Sequence, residues 1–291
     1  MNNSDSPLFS IIIPVYNRQE GIDCLLNVLA TSIAEHNFEK VVELIVIDDY
    51  SDKAVVLSNF PFDILLKRNN RNQGAPFSRQ RGFELSKGRF IHFHDSDDSV
   101  TQSWLFEVLK QLERKPEIDL LMTARVDQDN DSQEYRQQKY FHKQVLHPKK
   151  VASRLIYRNC MGPLGGVTFS RRVLQKVAFK NLASCQDWQM YIDAIKYSKV
   201  LSSRTDIQFL FNKAGNDRIS YHSRKKILGH LQLAKITAKN SIFKNSIRLF
   251  YLYTCKQHVF NKSGGILKFY RRKRFAIVIS FLVVSIYWRL T

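Results

Sequence analysis

Three carboxylates stand within four residues at Asp95-Ser96-Asp97-Asp98. So dense a cluster repels itself unless a cation relieves it. In extended chain Asp95 and Asp97 fall on one side, so both can face the same metal or sugar. Hard oxygen ligands favour Mg²⁺ or Mn²⁺, which leave positions open for a substrate's phosphates. Taken alone, the same residues also read as a solvated acidic turn. A second acidic turn, Asp48-Asp49-Tyr50-Ser51-Asp52, makes that reading less sufficient. Between the two lies Asn70-Arg71-Asn72-Gln73-Gly74-Ala75-Pro76, followed by Phe77-Ser78-Arg79. Pro76 suits the first turn of a helix, and the orphan N–H groups of a helix start favour anions. Arg79 falls in that helix's first turns, where its fork suits a phosphate or a nucleobase edge.

These residues need a frame. Apolar, β-branched runs predict strands at Phe9–Pro14, Val41–Ile47, Phe62–Leu66, Arg89–His94, Ile118–Thr123, Leu164–Ser170 and Ile207–Asn212. Helices are expected over Arg18–His36, from Pro76 to near Gly88, and over Gln102–Arg114, Lys149–Asn159 and Asp187–Tyr197. Asn17 suits the cap of the first of these, whose Ile22, Leu25, Leu26, Leu29 and Ile33 share one face. Such alternation predicts an α/β fold with a mainly parallel sheet covered by helices. Sheets of this kind bind ligands at the carboxyl ends of their strands, where both acidic turns fall. Asp127–Lys139 is polar throughout and reads as a mobile loop. Gly165 and Gly166 allow close backbone approach.

The charge is uneven. The chain has 291 residues and a net charge of +19, with 44% hydrophobic and 24% charged residues, a globular composition. Residues 1–220 hold 30 basic and 26 acidic side chains, whereas Tyr221 to Thr291 holds 15 Lys and Arg and no acid. Within that tail, Phe275 to Trp288 runs 14 residues without charge, directly after Arg271, Arg272, Lys273 and Arg274. As a helix it would reach roughly 21 Å, short of the ~30 Å hydrocarbon core that about 20 residues usually span. A basic cluster beside an apolar helix ending in Tyr287 and Trp288 suits the surface of an anionic membrane. A nucleic-acid tail would account for the basicity but not for the apolar run, so no nucleic acid is expected. Two regions follow: a catalytic domain over 1–217 and a basic, helical, membrane-associating region over 218–291.

The four cysteines (Cys24, Cys160, Cys185 and Cys255) form no CxxC pair, which excludes a disulfide framework or zinc ribbon. No histidine stands beside Cys185 in the sequence to activate it. His92 and His94 alternate on one strand face and read as packed residues rather than zinc ligands. The N-terminal MNNSDSPLF has no signal-peptide pattern.

Four segments in order, IIIPVYNR, IDDYSD, NQGAPFSRQRG and GRFIHFHDSDD, resemble a family 2 glycosyltransferase with the GT-A fold, over roughly residues 8–220. The resemblance implies inverting transfer of a sugar from a nucleotide diphosphate donor, with a divalent metal, Mn²⁺ or Mg²⁺, on the diphosphate. It places Pro14 and Tyr16 in the nucleotide pocket and gives Asp49 a hydrogen bond from the base, uracil first among the candidates. Arg79 would approach base or phosphates, and Asp95 and Ser96 the ribose or donor sugar. Asp97 would bind the metal with Asp98 as the other ligand. Gln186-Asp187 falls at the family's acidic ED motif, which makes Asp187 the general base. Trp188, by its position beside Asp187, reads either as an acceptor-stacking platform or as core. Gly165, Gly166 and Arg218 would belong to the acceptor and lid region. Three residues depart from the family's usual forms: Tyr50 for a small residue, Gln80 for Asn and Gln186 for Glu. The first suggests a tighter base pocket. The implied setting is surface-polysaccharide synthesis on a lipid-linked acceptor, at the cytoplasmic face of the membrane.

Two rival readings start from the same residues. Asp95-Ser96-Asp97-Asp98-Ser99-Val100 imitates the DxDx(T/S)V motif of haloacid-dehalogenase-type phosphatases, with Asp95 as nucleophile, but leaves Asp48 and Asp49 unexplained. A non-enzymatic binder of anionic polymers would act through the tail and weaken steeply with salt. A phosphatase assay decides the first; deleting 218–291 decides the second, since a binder would lose its function and a transferase should keep donor hydrolysis or transfer to a soluble acceptor.

Overall fold

A computed structural model describes residues 6–128, 135–138 and 145–212, and beyond these Lys225, Leu228, Gly229, His230, Gln232, Leu233 and Ile236. In chain order the described strands and helices are β1 (Phe9–Val15), α1 (Gln19–His36), β2 (Val42–Asp48), β3 (Ile64–Arg68), α2 (Ala75–Leu85), β4 (Phe90–Phe93) and β5 (Ser99–Val100). They continue with α3 (Trp104–Arg114), β6 (Leu120–Gln128), β7 (Tyr135–Gln138), β8 (Val145–Leu146), α4 (Pro148–Tyr157), β9 (Val167–Ser170), α5 (Arg171–Leu174), α6 (Gln186–Ala194) and β10 (Leu201–Asn212). They form one mixed sheet in the order β3-β2-β1-β4-β9-β6-β10-β5, with β7 on β6 and β8 on β10. The first four strands are parallel, β9 runs against both β4 and β6, and β10 is parallel to β6.

Side-chain alternation explains the two cores. Along β1, Ile11 and Ile13 face α1 and α3, where they meet Leu25, Leu29, Trp104 and Val108. Ile12 faces the other way, into a core with Phe93, Leu155, Trp188 and Tyr191. All seven β1 residues are buried, as a strand covered by helices on both faces requires.

Three local expectations are corrected. Asn17 does not cap α1: its backbone takes φ +51°, and its side chain exchanges hydrogen bonds with Asp52 at 2.8 and 3.0 Å. It ties the end of β1 to the turn after β2 instead. The polar stretch from Asp127 is not loop throughout, because β6 runs to Gln128 and Tyr135–Gln138 pairs against it. Strand β10 starts at Leu201 rather than Ile207. Its polar first half, with a register shift between Arg204 and Gln208, hides the strand period.

Candidate active site

Val15 pairs with Asp48 across β1 and β2, and Ile12 with Phe93 across β1 and β4. The turns after these strands therefore open on one sheet edge. So does the turn entering the reversed strand β9. Pro14 is buried within β1, while Tyr16, just past its end, is 45% exposed on this rim.

The two aspartates at the end of β2, Asp48 within it and Asp49 just past it, bond to different partners. Asp48 accepts hydrogen bonds from Ser51 N (2.8 Å), Val55 N (3.3 Å) and Arg68 Nη1 (2.8 Å). Burial would raise its pKa, but the Ser51 contacts, the Val55 N–H and Arg68 together hold the carboxyl below its ordinary value. Asp49 accepts from Asn69 Nδ2 (2.6 Å), Gln73 N (3.0 Å) and Gly74 N (2.7 Å). It fastens the loop that feeds α2, where Gly74 takes φ +87°, a conformation that disfavours a Cβ. Asp49 is buried, and its oxygens already serve this loop, so a nucleobase would have to share them. Tyr50 takes φ +68°, which gives a backbone reason for a small residue at this position. Its exposed ring carries the Arg68 guanidinium at 5.0 Å.

The acidic turn after β4 is drawn tight. His94 N donates to Ile12 O at 3.0 Å, and Asp98 N to Asp95 O at 3.1 Å. A Cβ on Gly21 would lie 2.4 Å from Ser96 O, so α1 backs the turn at backbone contact. Ser96 and Asp98 are buried, and Asp95 and Asp97 half-buried. One carboxylate oxygen from each of Asp95, Asp97 and Asp98 lies within 4.8 Å of the others. That donor set fits a hard divalent cation. Beneath it, His92 Nε2 lies 3.3 Å from His94 Nδ1, and His92 Nδ1 lies 3.1 Å from Thr168 Oγ1. Burial drives His92 well below its ordinary value and His94 to about 4, so both stay neutral at pH 7, packed against Trp104.

Arg79 joins this turn to α6. It is buried, and its Nη2 donates to Asp95 Oδ1 at 2.6 Å while Nη1 reaches Gln186 Oε1 at 3.4 Å. Asp187 follows in the first turn of α6. Trp188 N donates to its Oδ1 at 2.7 Å, and Asn159 Nδ2 to its Oδ2 at 2.8 Å. Asp187 is half-buried. Burial pushes its pKa up to about 6; the Trp188 N–H and Arg79 oppose the rise, and Asp95 adds to it. A carboxylate titrating there is a stronger proton acceptor than an ordinary one.

Other expected site residues are placed differently. Trp188 is 5% exposed, and its Nε1 donates to Leu155 O at 2.7 Å. It packs in the core and offers no open ring face as an acceptor platform. Gly165 and Gly166 are buried as well. A Cβ on Gly166 would lie 2.8 Å from the Phe209 ring, and one on Gly165 would touch the same ring and His94. Their small size serves packing beneath the edge rather than a lid. Arg218 and the apolar run 275–288 lie outside the described residues. Asn159 was not singled out in the sequence; its only signal is the neighbouring Gly162-Pro163 turn, which its side chain also braces. His230 was missed too, although its Nδ1 lies 3.4 Å from Cys185 Sγ. Asp95 as a phosphatase nucleophile fits poorly, because Arg79 already engages its carboxylate.

Comparison with known proteins agrees with this geometry. An uncharacterized glycosyltransferase of Haemophilus influenzae is 28% identical over 194 residues, 65% of this chain and 62% of that protein's length. The minor teichoic acid biosynthesis protein GgaB of Bacillus subtilis is 23% identical over 83% of this chain and 26% of its own. The crystal structure of S. aureus TarS in complex with UDP-GlcNAc superposes with a TM-score of 0.64 at 18% identity, over 94% of this chain and 79% of that one. The fold is thus GT-A. The model of glycosyl transferase family 2 matches residues 10–182, which take in both acidic turns and Arg79 and stop just short of Asp187. With more than half its length in that match and the acidic turns on one edge, the chain belongs to glycosyl transferase family 2.

Proposed function

We propose that this chain is an inverting glycosyltransferase. It moves a sugar from a nucleotide diphosphate donor, UDP first among the candidates, to a hydroxyl of a lipid-linked or polysaccharide acceptor in bacterial surface-polysaccharide synthesis. The observation that carries the reading is the Arg79 bridge from Asp95 to Gln186. It draws the acidic turn and the start of α6 to one place, as a single-displacement site requires. UDP-GlcNAc bound to TarS and the teichoic acid role of GgaB support the choice of donor and setting.

An acceptor hydroxyl is a poor nucleophile near neutral pH. Asp187 takes its proton as attack develops, while Asn159 and the Trp188 N–H keep the carboxylate oriented. Arg79 holds Asp95 against the donor sugar. Asp97 and Asp98 would hold the divalent cation, whose chemistry is to neutralise charge on a departing diphosphate. One in-line displacement inverts the anomeric centre. The basic region over 218–291 is the contact with an anionic membrane, at the cytoplasmic face. Among the described residues no helix is long and apolar enough to cross a membrane.

Asp187→Asn should cut turnover by about 10²- to 10⁴-fold with donor affinity unchanged, measured by UDP release beside UDP titration. Unchanged turnover removes the base assignment. EDTA should abolish transfer and Mn²⁺ or Mg²⁺ restore it; chelator-insensitive transfer contradicts the metal role.

A further inference from the structure

Helix α6 starts on a turn held locally by Gln186 Nε2 donating to Leu182 O at 2.9 Å and by Gln189 N donating to Cys185 O at 3.0 Å. Cys185 occupies its N-cap at φ +63°, and no side chain caps the helix. The Trp188 N–H that binds Asp187 travels with the helix, so it cannot fix where the helix lies. Arg79, Asn159 and the Trp188 indole hold the helix side, and a second set of contacts, on the turn just before it, comes from far along the chain. Gln232 Oε1 accepts from Ala183 N at 2.9 Å. Gly229 lies so close to Ser184 that a Cβ there would stand 2.2 Å from its Oγ and 2.5 Å from its N. His230 reaches Cys185 Sγ, and its ring meets Trp188 edge-on at 5.7 Å. Leu233 is buried in the same core. These contacts all fall between Ala183 and Trp188, on either side of Asp187.

We infer that Gly229, His230 and Gln232 are positioning residues for the reaction: seated on the Ala183–Cys185 turn, they set where α6 begins and so where the Asp187 carboxylate meets the acceptor hydroxyl. The inference rests on Asp187 being the base. A misplacement near 1 Å at such a group costs about 10²-fold in rate, so a backbone hydrogen bond at the helix start has kinetic weight. Residues 229–232 then act on the reaction through position alone.

The test uses the full chain and UDP release from UDP-GlcNAc, UDP-glucose and UDP-galactose with Mn²⁺, with water as the acceptor that takes the sugar and gives its proton to Asp187. Gln232→Leu removes the acceptor for Ala183 N, Gln232→Glu keeps one, and Gly229→Ala forces the segment off Ser184. Gln232→Leu and Gly229→Ala should lose about 10- to 100-fold in kcat with donor KM within about twofold, and Gln232→Glu should recover most of the loss. Unchanged kcat in Gln232→Leu overturns the inference. So does a joint loss of kcat and donor binding that Gln232→Glu does not rescue, which marks simple packing. Asp187→Asn run alongside separates the two levels. If it keeps turnover, or the wild type releases no UDP, the base reading fails and this inference with it. If it loses turnover while Gln232→Leu keeps it, only the positioning role fails.

Discussion

At Asp187 the proton affinity is raised first by burial, and the Asp95 carboxylate adds to the rise. As the proposed base, Asp187 must be ionised to work. Turnover should therefore fall as pH drops through about 6, by about tenfold per unit once well below it. Arg79 opposes the rise in Asp187, so Arg79→Gln should move this acidic limb to higher pH as well as slow the reaction. An acidic limb that stays in place would contradict the bridge. The profile needs a melting curve at each pH. His94 titrates at 6.5 in the unfolded chain and about 4 when folded, so below 6.5 the unfolded state binds the extra proton. Stability is then lost as pH falls from 6.5 towards 4, and the neighbouring His92 acts in the same direction. The carboxylates themselves were legible in the sequence, because three or four stand together or in a known order. Asn159 and Gln232 were not. Their partners lie 28 and 49 residues away, and a lone amide carries no period or spacing that marks it.

Among the elements, the covered parallel strands and α1, α2 and α3 were readable, because continuous β-branched runs and a helical period are local signals. The short β5, the polar β7 and the first half of β10 were not, since pairing with a neighbour made them strands rather than their own residue types. Contact between elements was equally invisible. Gly21 reads as an ordinary helix position, yet a Cβ there meets the carbonyl that shapes the acidic turn. Gly21→Ala should destabilise the protein by roughly 1–3 kcal/mol, the usual cost of overpacking. It should also blunt the melting shift given by Mn²⁺ with UDP, because the turn itself must move. Equal metal-dependent shifts in wild type and variant would rule that coupling out. The clamp on α6 also reverses the expectation for a truncated chain. Removing 218–291 takes away Gly229 and Gln232, so activity on a soluble acceptor should be lost rather than kept.

For the whole molecule, residues 1–220 are nearly balanced in charge and the excess lies in 221–291, as the sequence shows. Flotation with vesicles should show binding that rises with anionic lipid, weakens with salt and vanishes when 271–291 is removed. Binding indifferent to lipid charge would refute the membrane role. The direction of β9 was not legible, because nothing in Val167–Ser170 tells a parallel from an antiparallel neighbour. That reversed strand, lodged between β4 and β6, has a bearing on synthesis. The four parallel strands up to Phe93 emerge from the ribosome with their own pairings complete, but the sheet cannot close across its middle until residues 167–170 emerge. Asp187 comes out later still, and residues 229–232 after it. A nascent chain can thus form the four parallel strands and both acidic turns well before it holds the proposed base, so the proposed site is completed late in synthesis.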